Sequence, residues 1–202
     1  MTAPPSRSLE VTPVTLEGAH VRLEPLTAAH TEALMRAGGP DEIWTWLPWR
    51  PRARAEWDAW FASALEAQRG GSQLPFVTVE RATGEVVGST RFLAISPTDR
   101  RLEIGGTWLN PRVQRTPVNT ECKYLLLRHC FETLGCLRVE LKTDARNTNS
   151  QRAIARLGAT QEGIFRKHML AQHGFQRDSV YFSIIDDDWP AVKRRLEAML
   201  GA

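Results

Sequence analysis

The chain has 202 residues, enough to bury a sizeable core and most simply organised as one domain. Its 42% apolar and 24% charged residues exclude wholesale disorder. A formal net charge of +3, with Lys and Arg scattered among Asp and Glu, argues against a nucleic-acid track. No stretch approaches the roughly 20 consecutive apolar residues of a membrane-spanning helix, so no membrane partner is expected. Residues 1–14 are rich in Pro, Ser and Thr and lack the apolar segment of a secretory signal, so they read as a flexible tail before a single domain spanning 15–202. Cys122, Cys130 and Cys136 are odd in number and lack metal-type spacing. They read as small apolar residues in a reducing, cytoplasmic protein, and no metal is expected.

Alternation over His20 to Leu26 predicts an opening strand. Thr27 caps a following helix that stops at Gly38-Gly39-Pro40, and a Trp-rich loop carries Trp44, Trp46 and Trp49. A second helix over 53–68 places Trp57, Trp60, Phe61 and Leu65 on one face. Three strands follow, over 74–80, 86–95 and 101–109, the first two joined by a Gly-containing turn. A helix over 119–134 presents Cys122, Leu125, Leu126, Cys130 and Leu134 on one face and ends at Gly135. A strand over 137–143, a helix over 150–157, two strands over 163–171 and 176–185, and an amphipathic helix bearing Trp189, Val192, Leu196 and Leu200 complete the chain.

The strand, loop, helix and strand between Arg101 and Thr143 form the informative unit. A crossover helix between two strands implies local parallel geometry. The loop before that helix then aims backbone N–H groups and the helix dipole at one point, a natural phosphate site. It is neither a P-loop nor a dinucleotide fingerprint, because the required Gly-Lys-Ser/Thr and G-x-G-x-x-G patterns are absent.

Three features in fixed order resemble the GNAT acetyltransferase superfamily, in particular its branch acting on the N-termini of ribosomal proteins. They are Leu102-Glu-Ile-Gly-Gly-Thr-Trp-Leu109 followed by Asn110-Pro111; Asp144-Ala-Arg-Asn147-Thr-Asn-Ser150 with Leu157-Gly158-Ala159 behind it; and Glu162-Gly163-Ile-Phe-Arg166 leading to Arg177-Asp178, Tyr181 and Trp189. The resemblance spans about 16–196. It implies an α/β (α+β) fold with a mixed, splayed central sheet flanked by helices, and acetyl-CoA (coenzyme A) as co-substrate. Backbone groups of Ile104, Gly105, Gly106, Thr107, Trp108 and Leu109 would pair with the pantetheine arm. Gln114, Arg115, Thr116, Val118 and Asn119 would wrap the pyrophosphate, and Asn147 would hydrogen-bond the arm.

The chain departs from the family pattern at two points. Pro117 and Asn119 stand where the family loop has small residues, and Pro117 removes one N–H donor. Asn119 would instead cap the helix. Position 154, where many members carry a Tyr that protonates the leaving thiolate, is Ile154. Ser150 is then the available hydroxyl, or else a helix-capping residue with Asn147 as its partner.

Attack by an amine requires a base. Glu103 is the first candidate and His168 the second, each with a purely structural alternative. A backbone N–H from Gly105 to Thr107 would serve the oxyanion. Trp57 and Trp60 read as core, and Trp44, Trp46 and Trp49 as a wall for the acceptor or a partner chain. The resulting expectation is transfer of acetyl from acetyl-CoA to a primary amine (a protein N-terminus, a peptide or a small molecule) by direct attack, in a monomer or homodimer. The alternative is a non-catalytic protein of the same fold that binds coenzyme A weakly and acts through protein partners.

Overall fold

Short turns between alternating segments force neighbouring strands to run antiparallel, and a helical crossover lets two run parallel. Both devices operate in the computed structural model, which describes residues 9–201. The strands are β1 (Leu16–Glu17), β2 (Val21–Pro25), β3 (Leu74–Glu80), β4 (Val86–Ser96), β5 (Arg101–Leu109), β6 (Arg138–Asp144), β7 (Thr160–Leu170) and β8 (Gln176–Ile185). The helices are α1 (Thr31–Ala37), α2 (Arg54–Arg69), α3 (Pro117–Arg128), α4 (Thr148–Leu157) and α5 (Trp189–Leu200). The eight strands form one sheet in the order β1-β2-β3-β4-β5-β6-β8-β7. Every pairing is antiparallel except β5 with β6, the pair that α3 connects.

Period-2 alternation sends apolar side chains to both faces of the sheet, and each face acquires its own core. Leu102, Ile104, Val139, Leu141, Phe182 and Ile184 pack with α3 (Leu125, Leu126) and α5 (Val192, Leu196). Val77, Val79 and Trp108 pack with Leu34 of α1, Trp57 and Phe61 of α2, and Trp44. A mixed sheet between two helical layers is the architecture that the resemblance implied.

Local differences from the sequence reading have physical causes. Leu9 is 3% exposed in the first core and its N–H donates to Pro97 O, with Val11 and Val14 packed nearby. Residues 9–14 therefore belong to the domain, which corrects the tail boundary; residues 1–8 of the expected tail lie outside the described residues. The crossover helix begins at Pro117, two residues before the expected start, because Thr116 caps it by accepting from Val118 N–H and Pro suits the first helical position. Asn119, expected to cap, is the third helical residue. The helix passes into a π turn (His129–Thr133) before Gly135, at φ 68°, ends it. Cys122, Cys130 and Cys136 are all buried free thiols.

Candidate active site

The parallel ladder between β5 and β6 is only three residue pairs long, from Arg101↔Arg138 to Glu103↔Glu140. Beyond it the strands part, and β5 continues from Ile104 to Leu109 with no β6 partner. Backbone N–H and C=O groups on that edge must be satisfied by something else, and an extended ligand supplies the complementary pattern. β5 also bulges here: Ser89 faces Trp108 and Arg91 faces Gly105, so β5 carries one extra residue. Gly106 sits in the bulge at φ 57°, and a Cβ there would lie 3.0 Å from Arg91 Nε. Glycine thus meets both the backbone conformation and the close approach.

A cavity of about 430 Å³ opens in the splay. On the α3 side it is bordered by Asn119 and Lys123, and on the α4 side by Asn147, Ser150 and Ile154. Asn147 caps α4, its Oδ1 accepting from Ser150 N–H at 3.0 Å. Two helix N-termini therefore approach the cavity, an arrangement that favours negative charge. Lys123 is 6% exposed and donates to Thr107 Oγ1 at 2.7 Å, which in turn contacts Thr90 Oγ1 at 2.8 Å. Burial pushes the Lys123 ammonium down to about 8.

On the opposite sheet face Glu103, 3% exposed, meets Lys142 Nζ at 2.8 Å across the splay. Burial raises its pKa above the usual carboxylate range, and Lys142 works against that rise without cancelling it. Arg91 and Arg177 line the same space, and burial lowers both, Arg91 to about 10. Ile43, Leu47 and Trp49 close the apolar wall. The β7–β8 hairpin reaches across to this wall: Gln172 Nε2 donates to Trp44 O and Leu47 O, both at 2.8 Å. Arg146 stacks over Trp46 and Phe175, tying the same two segments together.

Residues 20–160 match the family described as acetyltransferase (GNAT) domain. The chain belongs to the GNAT acetyltransferases. The crystal structure of a GCN5-related N-acetyltransferase from Brucella melitensis is 34% identical, with a TM-score of 0.90 over 96% of this chain and 89% of that one. The uncharacterized N-acetyltransferase YoaA of Bacillus subtilis is 28% identical over 125 residues, 62% of this chain and 68% of that protein. Mycobacterium smegmatis RimJ in complex with CoA-disulfide shares the fold, with a TM-score of 0.81 at 24% identity over 93% of this chain and 95% of that one.

Within this GNAT chain the residues singled out from sequence divide in two. Ile104, Gly105, Gly106, Thr107, Asn119, Asn147, Ser150 and Glu103 all line the cavity. Trp108 and Leu109 lie outside the lining and fill the two cores with their side chains. Gln114 donates to Leu109 O at 3.2 Å, Thr116 caps α3, and Val118 is buried. Arg115 is exposed and left-handed, at φ 61°. His168 lies off the cavity, with Nδ1 3.1 Å from Ser179 Oγ and Nε2 3.2 Å from Tyr181 OH. Burial, then Lys142 and Arg177, lower its pKa. Trp44 is a core residue, 2% exposed with Nε1 donating to Gly38 O, whereas Trp46 and Trp49 do line the cavity.

Sequence reasoning assigned no role to Arg91, Lys123, Lys142, Arg177 or Gln172. Of these only Arg177 carried a signal, as part of the Arg177-Asp178 motif.

Proposed function

We propose that this GNAT acetyltransferase transfers acetyl from acetyl-CoA to a primary amine (a protein N-terminus, a peptide or a small molecule) by direct attack in a ternary complex. The observation that carries this reading is the unpartnered edge of β5 from Ile104 onward. It borders one cavity that also holds a buried carboxylate, Glu103, and the capped start of α4. RimJ, bound to a CoA-disulfide in its structure, shares the fold that frames this edge.

In this reading the pantetheine arm lies along residues 104–109 and the pyrophosphate meets the start of α3. Pro117 suits that start: it occupies the first helical position, Thr116 takes Val118 N–H, and the Asn119 amide is left for phosphate. That arrangement favours the enzyme over a non-catalytic member of the fold, since the loop is built around the proline. Asn147 and Ser150 flank the sulfur, where a hydroxyl stabilises the departing thiolate.

Glu103 takes a proton from the acceptor ammonium, directly or through water; its raised pKa makes it a stronger base than an ordinary carboxylate. The freed lone pair forms the C–N bond at the thioester carbon, with a backbone N–H near Gly106 stabilising the oxyanion. The C–S bond then breaks, the nitrogen gives up its second proton, and the departing thiolate takes up that proton so that coenzyme A leaves as the thiol. His168 is assigned no part, since both its ring nitrogens are engaged away from the cavity.

Isothermal titration with acetyl-CoA and with coenzyme A tests the reading. Micromolar binding, about −8 kcal/mol, followed by amine-dependent release of free thiol, is the expected result. No heat up to millimolar ligand together with an unmoved melting temperature overturns it.

A further inference from the structure

Two buried guanidinium groups on the Glu103 side of the sheet, Arg91 and Arg177, each retain an N–H group without a partner. Arg91 on β4 is 9% exposed and Arg177 on β8 is 5% exposed, and both line the cavity. Arg91 gives one N–H to Gln73 Oε1 at 2.9 Å and lies over the Trp60 ring at 5.1 Å. Its Nε and second terminal nitrogen are buried without a partner. Arg177 Nε is likewise buried without a partner. The acids whose charge reaches Arg177 are already engaged: Glu103 with Lys142 at 2.8 Å and Asp144 with Arg146 at 2.7 Å.

The placement of the two arginines is ordered. β4 adjoins β5 and β8 adjoins β6, so one arginine stands a strand outside each lip of the splay. Arg91 faces Gly105, which shares its side of β5 with Glu103. Arg177 shares its side of β8 with Tyr181, which faces Lys142, the ammonium that reaches Glu103. Both arginines therefore border the space where an acceptor would approach the thioester.

A desolvated cation without a partner destabilises the fold, and departures of this kind are retained where a ligand completes them. The planar guanidinium fork matches a carboxylate. We propose that Arg91 and Arg177 bind a carboxylate on one of the two reactants and so select carboxylate-bearing substrates. The proposal rests on the acetyltransferase reading of the cavity. The carboxylate belongs either to the acceptor, as in an amino acid, or to the far end of a dicarboxylic acyl-CoA.

Two matched ligand pairs test it by calorimetry. With coenzyme A bound, N-acetylphenylalanine is compared with N-acetylphenylalanine amide; with the free protein, succinyl-CoA is compared with acetyl-CoA. The carboxylate member of one pair is expected to bind at least about tenfold more tightly. Preference in the first pair assigns the carboxylate to the acceptor, and preference in the second assigns it to the acyl group. Arg177→Gln, and Arg91→Met, which keeps an aliphatic chain against Trp60, each reduce the preference below about threefold. Arg91→Met also raises the melting temperature of the free protein, since it removes a buried unpaired charge.

Coenzyme A binding with no preference in either pair overturns the carboxylate site and leaves the acetyltransferase reading standing. A preference that survives both substitutions also overturns it. Failure of coenzyme A itself to bind removes the cavity reading, and the carboxylate site falls with it.

Discussion

The two sides of the cavity are made of different materials. Toward α3 and α4 the ligand-facing groups are mainly backbone: an unpaired strand edge, a glycine bulge and two capped helix starts. Toward α1 and α2 they are side chains: Glu103, Arg91, Arg177 and an apolar wall with Trp46 and Trp49. Backbone geometry tolerates change in side chain, so Pro117 is accommodated at the first helical position of α3. A side-chain wall has no such tolerance, so it is where selectivity among acceptors should reside.

The largest expected effect separates the two sides directly. Glu103→Gln lowers kcat by about 10³-fold while calorimetric affinity for coenzyme A stays the same; an equal fall in both would merge the sides. In the native enzyme kcat rises with pH as Glu103 loses its proton, through a pKa above the ordinary carboxylate range. An apparent pKa near 4 in a pH–rate profile would remove Glu103 from the role.

The next effect tests whether α3 is chiefly a scaffold. The buried Glu121 carboxylate accepts from the N–H groups of Ala19, His20 and Val21 at 2.8, 2.6 and 2.7 Å. Glu121→Ala orphans three donors and should cost about 3 kcal/mol in denaturant titration, with kcat per folded molecule little changed. Asn147→Ala belongs to both structure and ligand binding. Loss of the α4 cap costs about 1 kcal/mol of stability, and the affinity for acetyl-CoA falls with it. Arg115→Gly is the smallest: relief of a left-handed non-glycine residue adds about 0.5 kcal/mol, read as a small rise in melting temperature with unchanged acceptor KM.

The same contrast decides what could be read from the chain. The strands 74–80, 101–109 and 176–185 were legible because alternation and turn residues are local signals. Residues 104–107, 147 and 150 were reached through the family resemblance, and the structure brings them to one cavity. The burial of the charges around Glu103 was not legible. Arg91 sits among Val, Ser, Thr and Phe in β4, and tertiary neighbours (the Trp60 ring over it, Gln73 and Gly106 beside it) turn it from a solvated strand residue into a buried cation. Lys123 was hidden similarly, since α3 buries more of its circumference than its apolar stripe suggests. Trp44 and Trp46 are two residues apart in one loop, yet one is core and the other surface. Trp44 is held by Gly38 O, six residues away, and by the Gln172 side chain, 128 residues away.

Amide hydrogen exchange with and without acetyl-CoA examines the central claim most directly. If the opened edge of β5 holds the pantetheine arm, protection should rise in peptides covering 104–109 and 118–120, while 44–49 stays unchanged until an acceptor is added. Saturating acetyl-CoA that leaves 104–109 as exchangeable as before would contradict the account.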